Sequence, residues 1–437
     1  IGGDEAPKYR WEHCPKCQKR KNEEGLQDEE ALQGWFNTRI ENYLAAKGKQ
    51  IIGWDEILEG GLSPNATVQS WRGFEGAQHA AEQGHNAIVS PTSHAYFDYP
   101  VSSIDVPKVY EFNLYPKKLD RFTHGHHIIG GECNLWSERI PDIETLDRRF
   151  LPRGIAMAEV LWSHPSRRDY EAFRSRLEGH YDLLDALGYQ YDVEEVPVTL
   201  ISSNESFNEK LEVRAIATPA FANLDLSLSS STGIISDSAA TFTARGLHTL
   251  MVQPQREGRT MGPNLRYDFA LHEGLLTHSC LTSSPTPPYT GTNDIPLANG
   301  VLGSTNFRDG KWLGYFGPDH FGGHFGWKEK YVIDSVKINF LQSRLSWILV
   351  PEMVYADIYV ESDVIERYQW DRDVSADKEG TFIHTMTLAP EGGFPPTNSI
   401  NFEIPNTEKL PDNHPAAGQP VWHFLDEVQI YGRPYRD

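Results

Sequence analysis

Four short apolar runs punctuate the first 190 residues, and each leads into a cluster of aromatic, acidic or glycine residues. They are Gln50-Ile51-Ile52-Gly53-Trp54, Thr67-Val68-Gln69-Ser70-Trp71, Asn86-Ala87-Ile88-Val89-Ser90 and the longer stretch from His127 to Trp136. Runs this short and this apolar read as buried strands. Helical periodicity separates them. Leu32, Trp35, Phe36, Ile40, Tyr43 and Leu44 fall at helical spacing, with Gly48 placed to end that helix. Further helices are expected over 76–83, 142–163 and 170–187. Strand–helix alternation predicts a parallel α/β architecture, and glycines and charges gathered just after each strand are the pattern of the catalytic face of a (β/α)8 barrel.

At 437 residues the chain should hold two or three domains. The character changes near residue 193, where alternating apolar positions among Ser, Thr and Ala indicate a small all-β sandwich over 193–266. From 267 to 437 the chain is again β-like but richer in Trp, Gly and Pro, with Ser283–Tyr289 reading as a loop. A formal net charge of −21 repels nucleic acid and anionic membrane surfaces, so neither is an expected partner. No run is long enough for a transmembrane helix, and no signal peptide is present in this sequence.

The presumed strand ends carry the chemistry. They bear Asp4 and Glu5; Trp54, Asp55 and Glu56; Trp71 and Arg72; Tyr96 and Asp98; Trp136 and Glu138. Sugars present apolar CH faces and dense hydroxyl edges, and aromatic walls rimmed by carboxylates match both. The adjacent acids Asp4 and Glu5 suit acid–base work, reaching one ligand from different sides where the backbone turns. Each feature also has a plain reading. Acid pairs are common on surfaces, Gly-Gly-Asp-Glu also marks cyclic-dinucleotide synthases, and any single Trp is more often core than ligand. The recurrence of a ring beside an acid at successive strand ends favours the sugar pocket.

Taken in order, Ile1-Gly2-Gly3-Asp4-Glu5, Gly53-Trp54-Asp55-Glu56, Ser70-Trp71-Arg72-Gly73, Tyr96-Phe97-Asp98-Tyr99 and Asn134-Leu135-Trp136-Ser137-Glu138 resemble the β-N-acetylhexosaminidases of glycoside hydrolase family 20. With Cys-Pro-x-Cys following the acid motif, the form is similar to Bacteroidetes-type members. The resemblance spans about residues 1–190. It implies that residues 1–192 are the C-terminal portion of a catalytic (β/α)8 barrel, about strands 4–8. The first strands, a His before Ile1 and a sugar-gripping Arg would then lie upstream, and five strands would leave edges and apolar faces exposed.

The implied activity is exo-removal of terminal β-linked GlcNAc or GalNAc, both of which fit the residues named. The implied mechanism is retaining and substrate-assisted, with the 2-acetamido oxygen as nucleophile. By resemblance Glu5 is the general acid, Asp4 orients the acetamido N–H and stabilises the oxazolinium, and Tyr96 hydrogen-bonds the acetamido oxygen. Trp54, Trp71 and Trp136 wall the pocket, while Asp98 and Glu138 hold sugar hydroxyls. No metal or organic cofactor is implied, the partner is a glycan, and the oligomeric state is left open. Location in the periplasm, at the cell surface or outside the cell follows from the resemblance alone. The alternatives are a non-catalytic glycan-binding protein, or a fragment inactive because its barrel is truncated.

The last segment has its own resemblance. Leu297-Ala298-Asn299-Gly300, Asp309–Tyr315, Val332–Ile338, Trp347–Pro351 and Trp422–Val428 are similar to a discoidin, or coagulation-factor type C, β-sandwich. That implies glycan binding or a buttressing role for 267–437. Smaller features remain. Cys14-Pro15-Lys16-Cys17 has zinc-knuckle spacing but no matching second pair, which favours plain thiols over a metal or redox role. His124, His126 and His127 are expected in a solvated loop. Asn65-Ala66-Thr67 and Asn204-Glu205-Ser206 have the form of N-glycosylation sequons.

Overall fold

A computed structural model describes residues 1–203, 210–291, 297–317, 319–361, 363–373, 380–411, 414 and 417–436. The sequon at Asn204 lies outside the described residues. The chain forms two compact units, Ile1–Val196 and Pro197–Asp437.

In the first unit, β1 (Ile52–Trp54), β2 (Thr67–Ser70), β3 (Ala87–Val89) and β4 (Ile128–Gly131) pair in parallel and in chain order. The nine α-helices among the described residues all lie in this unit. They are α1 (Tyr9–His13), α2 (Pro15–Glu23), α3 (Glu29–Ala45), α4 (Glu75–Glu82), α5 (Val106–Tyr110), α6 (Arg121–His124), α7 (Ile143–Phe150), α8 (Arg153–Trp162) and α9 (Tyr170–Leu187). Aspartate carboxylates cap several of them. Asp28 accepts from Ala31 N at 2.8 Å, Asp142 from Thr145 N at 2.7 Å and Asp169 from Ala172 N at 3.0 Å. Helix α9 turns Phe173, Leu177, Tyr181 and Leu184 inward and stops at Gly188, whose φ is +77°.

Three expectations change. The single helix over 142–163 is two. Pro152 has no N–H to donate and keeps Leu151 extended, at ψ 133°, so α7 ends and α8 starts afresh. The histidine cluster is not a loop, because His124 closes α6 and His126 and His127 occupy the 3-10 turn Gly125–His127. Helix α3 is present at the expected spacing, but it buries a different face. Leu32, Gln33, Gly34, Asn37 and Glu41 turn inward, while Phe36 and Tyr43 are exposed. Backbone polar groups decide this. Gln33 Nε2 donates to Gly3 O at 2.8 Å, and Glu41 accepts from Asn65 N at 2.8 Å. A side chain at Gly34 would meet Gly60 O.

The second unit has only β-strands and short 3-10 turns among its described residues. Strands β5 (Val198–Ser203), β6 (Leu211–Ala217), β9 (Ala239–Phe242) and β8 (Ile234–Ser236) form one antiparallel sheet. β10 (Gly246–Arg256) pairs with β7 (Asp225–Ser229), β11 (Arg259–Thr260) and β12 (Leu265–Leu271) in another. The two share one core, in which Val213 and Phe242 from one sheet join Leu250, Val252 and Phe269 from the other.

The third sheet contains β13 (His278–Leu281), β14 (Leu313–Tyr315), β15 (His320–Ser343), β16 (Met353–Val360), β17 (Asp363–Asp371), β18 (Thr381–Leu388), β19 (Thr397–Pro405) and β20 (His423–Pro434). Its centre is β15, whose 24 residues pair with β13, β18, β19 and β20 in turn. Trp347–Pro351 forms no strand. Trp347 sits at φ +61° after a 3-10 turn, and the segment is held by isolated bridges.

One buried carboxylate ties this sheet to its neighbour. Glu427 on β20 accepts His272 Nε2 at 2.8 Å and the amides of Gly300 at 2.8 Å and Asn299 at 3.1 Å. His272 Nδ1 accepts from Gly274 N and Ile430 N, so Nε2 carries the proton and the ring is neutral. Burial depresses the His272 pKa to about 3, which favours the same neutral form. Gly300 closes the link by accepting from Ala270 N at 2.8 Å. Its φ of +76° and the 3.2 Å gap a Cβ would leave to Ala270 O require glycine. In Glu427→Gln, an amide NH2 would replace one acceptor and face a backbone N–H. The second unit should lose about 1–3 kcal/mol, measured by urea unfolding, because a buried donor is left unpaired.

Candidate active site

The acid pair sits on a strained turn. Gly2 and Gly3 have φ of +71° and +102°, and Glu5 itself takes +46°. A Cβ on Gly3 would lie 2.7 Å from Ile57 Cγ2, so the glycine lets the turn press against the segment after β1. Two backbone contacts fix its start on that strand. Ile1 N donates to Ile52 O at 2.9 Å, and Trp54 N donates to Gly2 O at 3.0 Å.

Beyond the strand ends the rings meet. Trp54 is the last residue of β1, Trp71 follows β2, and Tyr96 lies past β3, bridged to Asn134 in the segment after β4. The centroids are 5.8 Å apart for Trp54–Trp136, 6.4 Å for Trp136–Tyr96 and 6.2 Å for Tyr96–Trp71, which makes one continuous chain of four rings. Burial drives the Tyr96 phenol well above its ordinary pKa. Trp136 opposes this through a side-chain hydrogen bond, while Tyr99, Asp98 and Asp4 add to it. The hydroxyl therefore stays protonated and able to donate. The same interaction places Asp4 within electrostatic reach of Tyr96.

The other acids differ among themselves. Asp98 is 4 % exposed, and its Oδ1 has no hydrogen-bond partner among the described residues. Burial raises its pKa, against its own backbone amide and Arg139, Arg149 and Arg153. Glu5 and Glu138 are exposed. Ring contacts thus bring Trp54, Trp71, Tyr96 and Trp136 together, Asp4 and Asp98 lie in electrostatic reach of Tyr96, and Glu5 and Glu138 are linked to the group by sequence position alone.

The strand-end pattern names Glu56 and Arg72 but not their partners, and it misses Arg153 altogether. Glu56, 8 % exposed, accepts the Trp71 indole N–H on both oxygens, at 2.9 and 3.2 Å. Arg72 joins the same network, reaching Asp55 at 2.9 Å and Glu59 at 2.6 Å. Trp-Asp-Glu followed fifteen residues later by Trp-Arg is the trace this leaves in the sequence. Arg153 is fully buried and donates to Phe97 O at 2.7 Å and Ile104 O at 3.0 Å, clamping the loop that carries Tyr96 and Asp98. Burial lowers its pKa to about 9, so it remains charged at neutral pH. An Arg inside a helical stretch gives no such signal in advance.

Residues 1–165 match the model of glycosyl hydrolase family 20, catalytic domain. Among curated relatives, a β-hexosaminidase of Porphyromonas gingivalis is 40% identical over 205 residues, covering 44% of this chain and 26% of the relative. One from Akkermansia muciniphila is 29% identical over 207 residues, covering 44% and 41%. A solved family 20 exo-β-N-acetylglucosaminidase from Vibrio harveyi, in complex with N-acetylglucosamine, is 30% identical. It covers 44% of this chain and 32% of its own, with a TM-score of 0.41. The chain thus spans between a quarter and two-fifths of the length of the curated relatives named. Among the described residues no group of three or more His, Cys, Asp or Glu could hold a metal ion, and no helix is long and apolar enough to cross a membrane.

Removing the Glu56 carboxylate should strand a half-buried indole N–H. Glu56→Ala is expected to cost the first unit about 1.5–3 kcal/mol in urea unfolding, the range for a charged hydrogen bond. Asp55 gives a pH signature. Burial raises its carboxyl to about 6 against Arg72, from an ordinary 3.8. The folded state therefore holds this proton more tightly, and the resulting stability is full below pH 3.8 and lost as pH rises through 6. Relative to Asp55→Asn, the wild-type melting temperature should be higher near pH 4 than at pH 7. A difference independent of pH would contradict that assignment.

Proposed function

We propose that the protein is an exo-β-N-acetylhexosaminidase that releases terminal β-linked GlcNAc or GalNAc from glycans by a retaining, substrate-assisted route. The observation that carries this reading is the unbroken ring chain Trp54–Trp136–Tyr96–Trp71, with Asp4 in electrostatic reach of Tyr96. The family match over residues 1–165 supports it.

In this reading the indoles enclose the acetamido methyl and the sugar's apolar face. The protonated Tyr96 hydroxyl donates to the acetamido oxygen and points it at the anomeric carbon. Asp4 accepts the acetamido N–H and offsets the positive charge of the oxazolinium as it forms. Glu5, on the solvent side of the strained turn, gives its proton to the departing glycosidic oxygen and later takes one from water. Asp98 and Glu138 hold hydroxyls of the terminal sugar, and the unpartnered Oδ1 of Asp98 is an acceptor to spare. A sugar with a 2-hydroxyl has no internal nucleophile and should not turn over.

The architecture proposed with this function is a barrel portion over 1–192, a small β-sandwich over 193–266 and a discoidin-like sandwich over 267–437. The parallel, sequential order of β1 to β4 supports the first, and the two antiparallel sheets around one core support the second. An exported location accords with the resemblance.

The test is hydrolysis of a chromogenic aryl β-N-acetylglucosaminide by this chain and by any longer protein that contains it. Glu5→Gln should abolish turnover of the natural glycan, and Asp4→Ala should slow hydrolysis about a hundredfold to a thousandfold. Sugar binding without turnover in the wild type would replace the enzyme with a glycan-binding protein. Near-normal turnover in Asp4→Ala, together with failure of a thiazoline inhibitor to bind the wild type, would rule out the substrate-assisted scheme.

A further inference from the structure

Two thiols in the first unit take no part in the site. Cys14 is the residue just before α2, and its φ of −86° and ψ of 116° lie outside the helical region. Cys17 is the third residue of that helix. These are the cap position and the position three further on, which share one side of a helix start. Cys14 makes no side-chain cap hydrogen bond, so no such bond ties its sulfur to the helix start. Pro15 between them has a fixed φ and suits the first helical position. Gln18 N donates to Cys14 O at 3.0 Å, closing the turn.

The rest of α2 is anchored, so this turn is not free to drift. Gln18 and Lys21 both reach Glu29, at 2.8 and 2.6 Å. Both cysteines are free and only half-buried. A zinc site needs further ligands, and no third one converges among the described residues. The adjacent His13 has its Nδ1 on Tyr9 O at 2.8 Å.

We propose that Cys14 and Cys17 form a reversible dithiol–disulfide couple that exchanges with small-molecule disulfides, with Cys14 attacking and Cys17 resolving. The Cys14 thiolate attacks one sulfur of a disulfide RSSR, forming a mixed disulfide and expelling one RS⁻. Cys17 then loses its proton and attacks the Cys14 sulfur, closing the internal disulfide and expelling the second RS⁻. Two protein thiols are oxidised, RSSR is reduced by two electrons, and the two thiol protons end on the two RSH released. The order of attack follows from the surroundings. The amide and thiol of Cys17 and the amide of Lys16 face Cys14 and hold it below the ordinary thiol pKa. The Cys14 thiol, burial and Glu29 push Cys17 up. The thiol with more thiolate at neutral pH leads.

The test does not depend on sugar chemistry. The chain is equilibrated in glutathione buffers from fully reduced to fully oxidised, quenched with acid and alkylated, and the peptide holding both cysteines is read by mass. In the wild type it should lose two hydrogens and both alkylation sites, and dithiothreitol should reverse this. Cys17→Ser should trap Cys14 carrying one glutathione. Cys14→Ser should leave Cys17 to react at least about tenfold more slowly. Exposed Cys280 serves as the internal control. Full alkylation of Cys14 and Cys17 in the oxidised buffer would overturn the proposal. So would faster glutathione uptake at Cys17 than at Cys14, or zinc retained stoichiometrically by the native chain and lost in either variant.

Discussion

The indole N–H of Trp71, held by both oxygens of Glu56, orders the face on which the chemistry is proposed. It joins the turn after β1 to the residue after β2 and so fixes the Trp71 ring at one end of the ring chain. An indole donates through one atom only, and a carboxylate that accepts it twice leaves the ring little freedom. Arg72 then neutralises the local excess of acid by reaching Asp55 and Glu59. Without that charge, Asp55, Glu56 and Glu59 would repel one another beneath the aromatic wall.

The far side of the ring chain depends on a cation rather than an anion. Arg153 spends its guanidinium on the carbonyls of Phe97 and Ile104 and packs over the Phe97 ring, with its charge centre 4.8 Å from the centroid. The loop bearing Tyr96 and Asp98 has no strand of its own, so this clamp replaces a ladder of backbone hydrogen bonds. The second unit uses a buried carboxyl group for the same purpose, and burial raises its pKa to about 8. Buried Glu427 gathers two amides and a neutral imidazole, linking the turn at Asn299–Gly300 and the segment after β12 to β20. In each case one buried, hydrogen-bonded titratable group organises backbone that is not otherwise in a sheet.

Much of the candidate site could be read before any coordinates. Trp54, Trp71 and Trp136 follow short apolar runs, and Asp4 stands beside a Gly pair. The strand periods were legible because a buried parallel strand leaves an apolar run. The buried face of α3 was not legible. Its apolar spacing pointed one way, yet Gln33, Asn37 and Glu41 turn inward, and Gln33 and Glu41 meet backbone groups of loops distant in sequence. The break at Pro152 was written in the residue itself but masked by continuous periodicity on either side. Glu56 is legible as a strand-end acid but its bond to Trp71 is not, and Arg153 looks like an ordinary surface charge until its partners are in place.

The sequence by itself determined the local order of the first unit: short apolar strand runs, helices capped by Asp28, Asp142 and Asp169, and rings and acids just past the strand ends. Those properties depend on neighbours within a few residues, and local sterics and periodicity suffice to set them. Only the tertiary structure decided which side chains meet. Tyr96 against Trp71 and Trp136, Glu56 under Trp71, and Glu427 between two sheets all join residues far apart along the chain. The physical reason is that a buried polar group must find its partner wherever packing brings one, and no local pattern encodes that address.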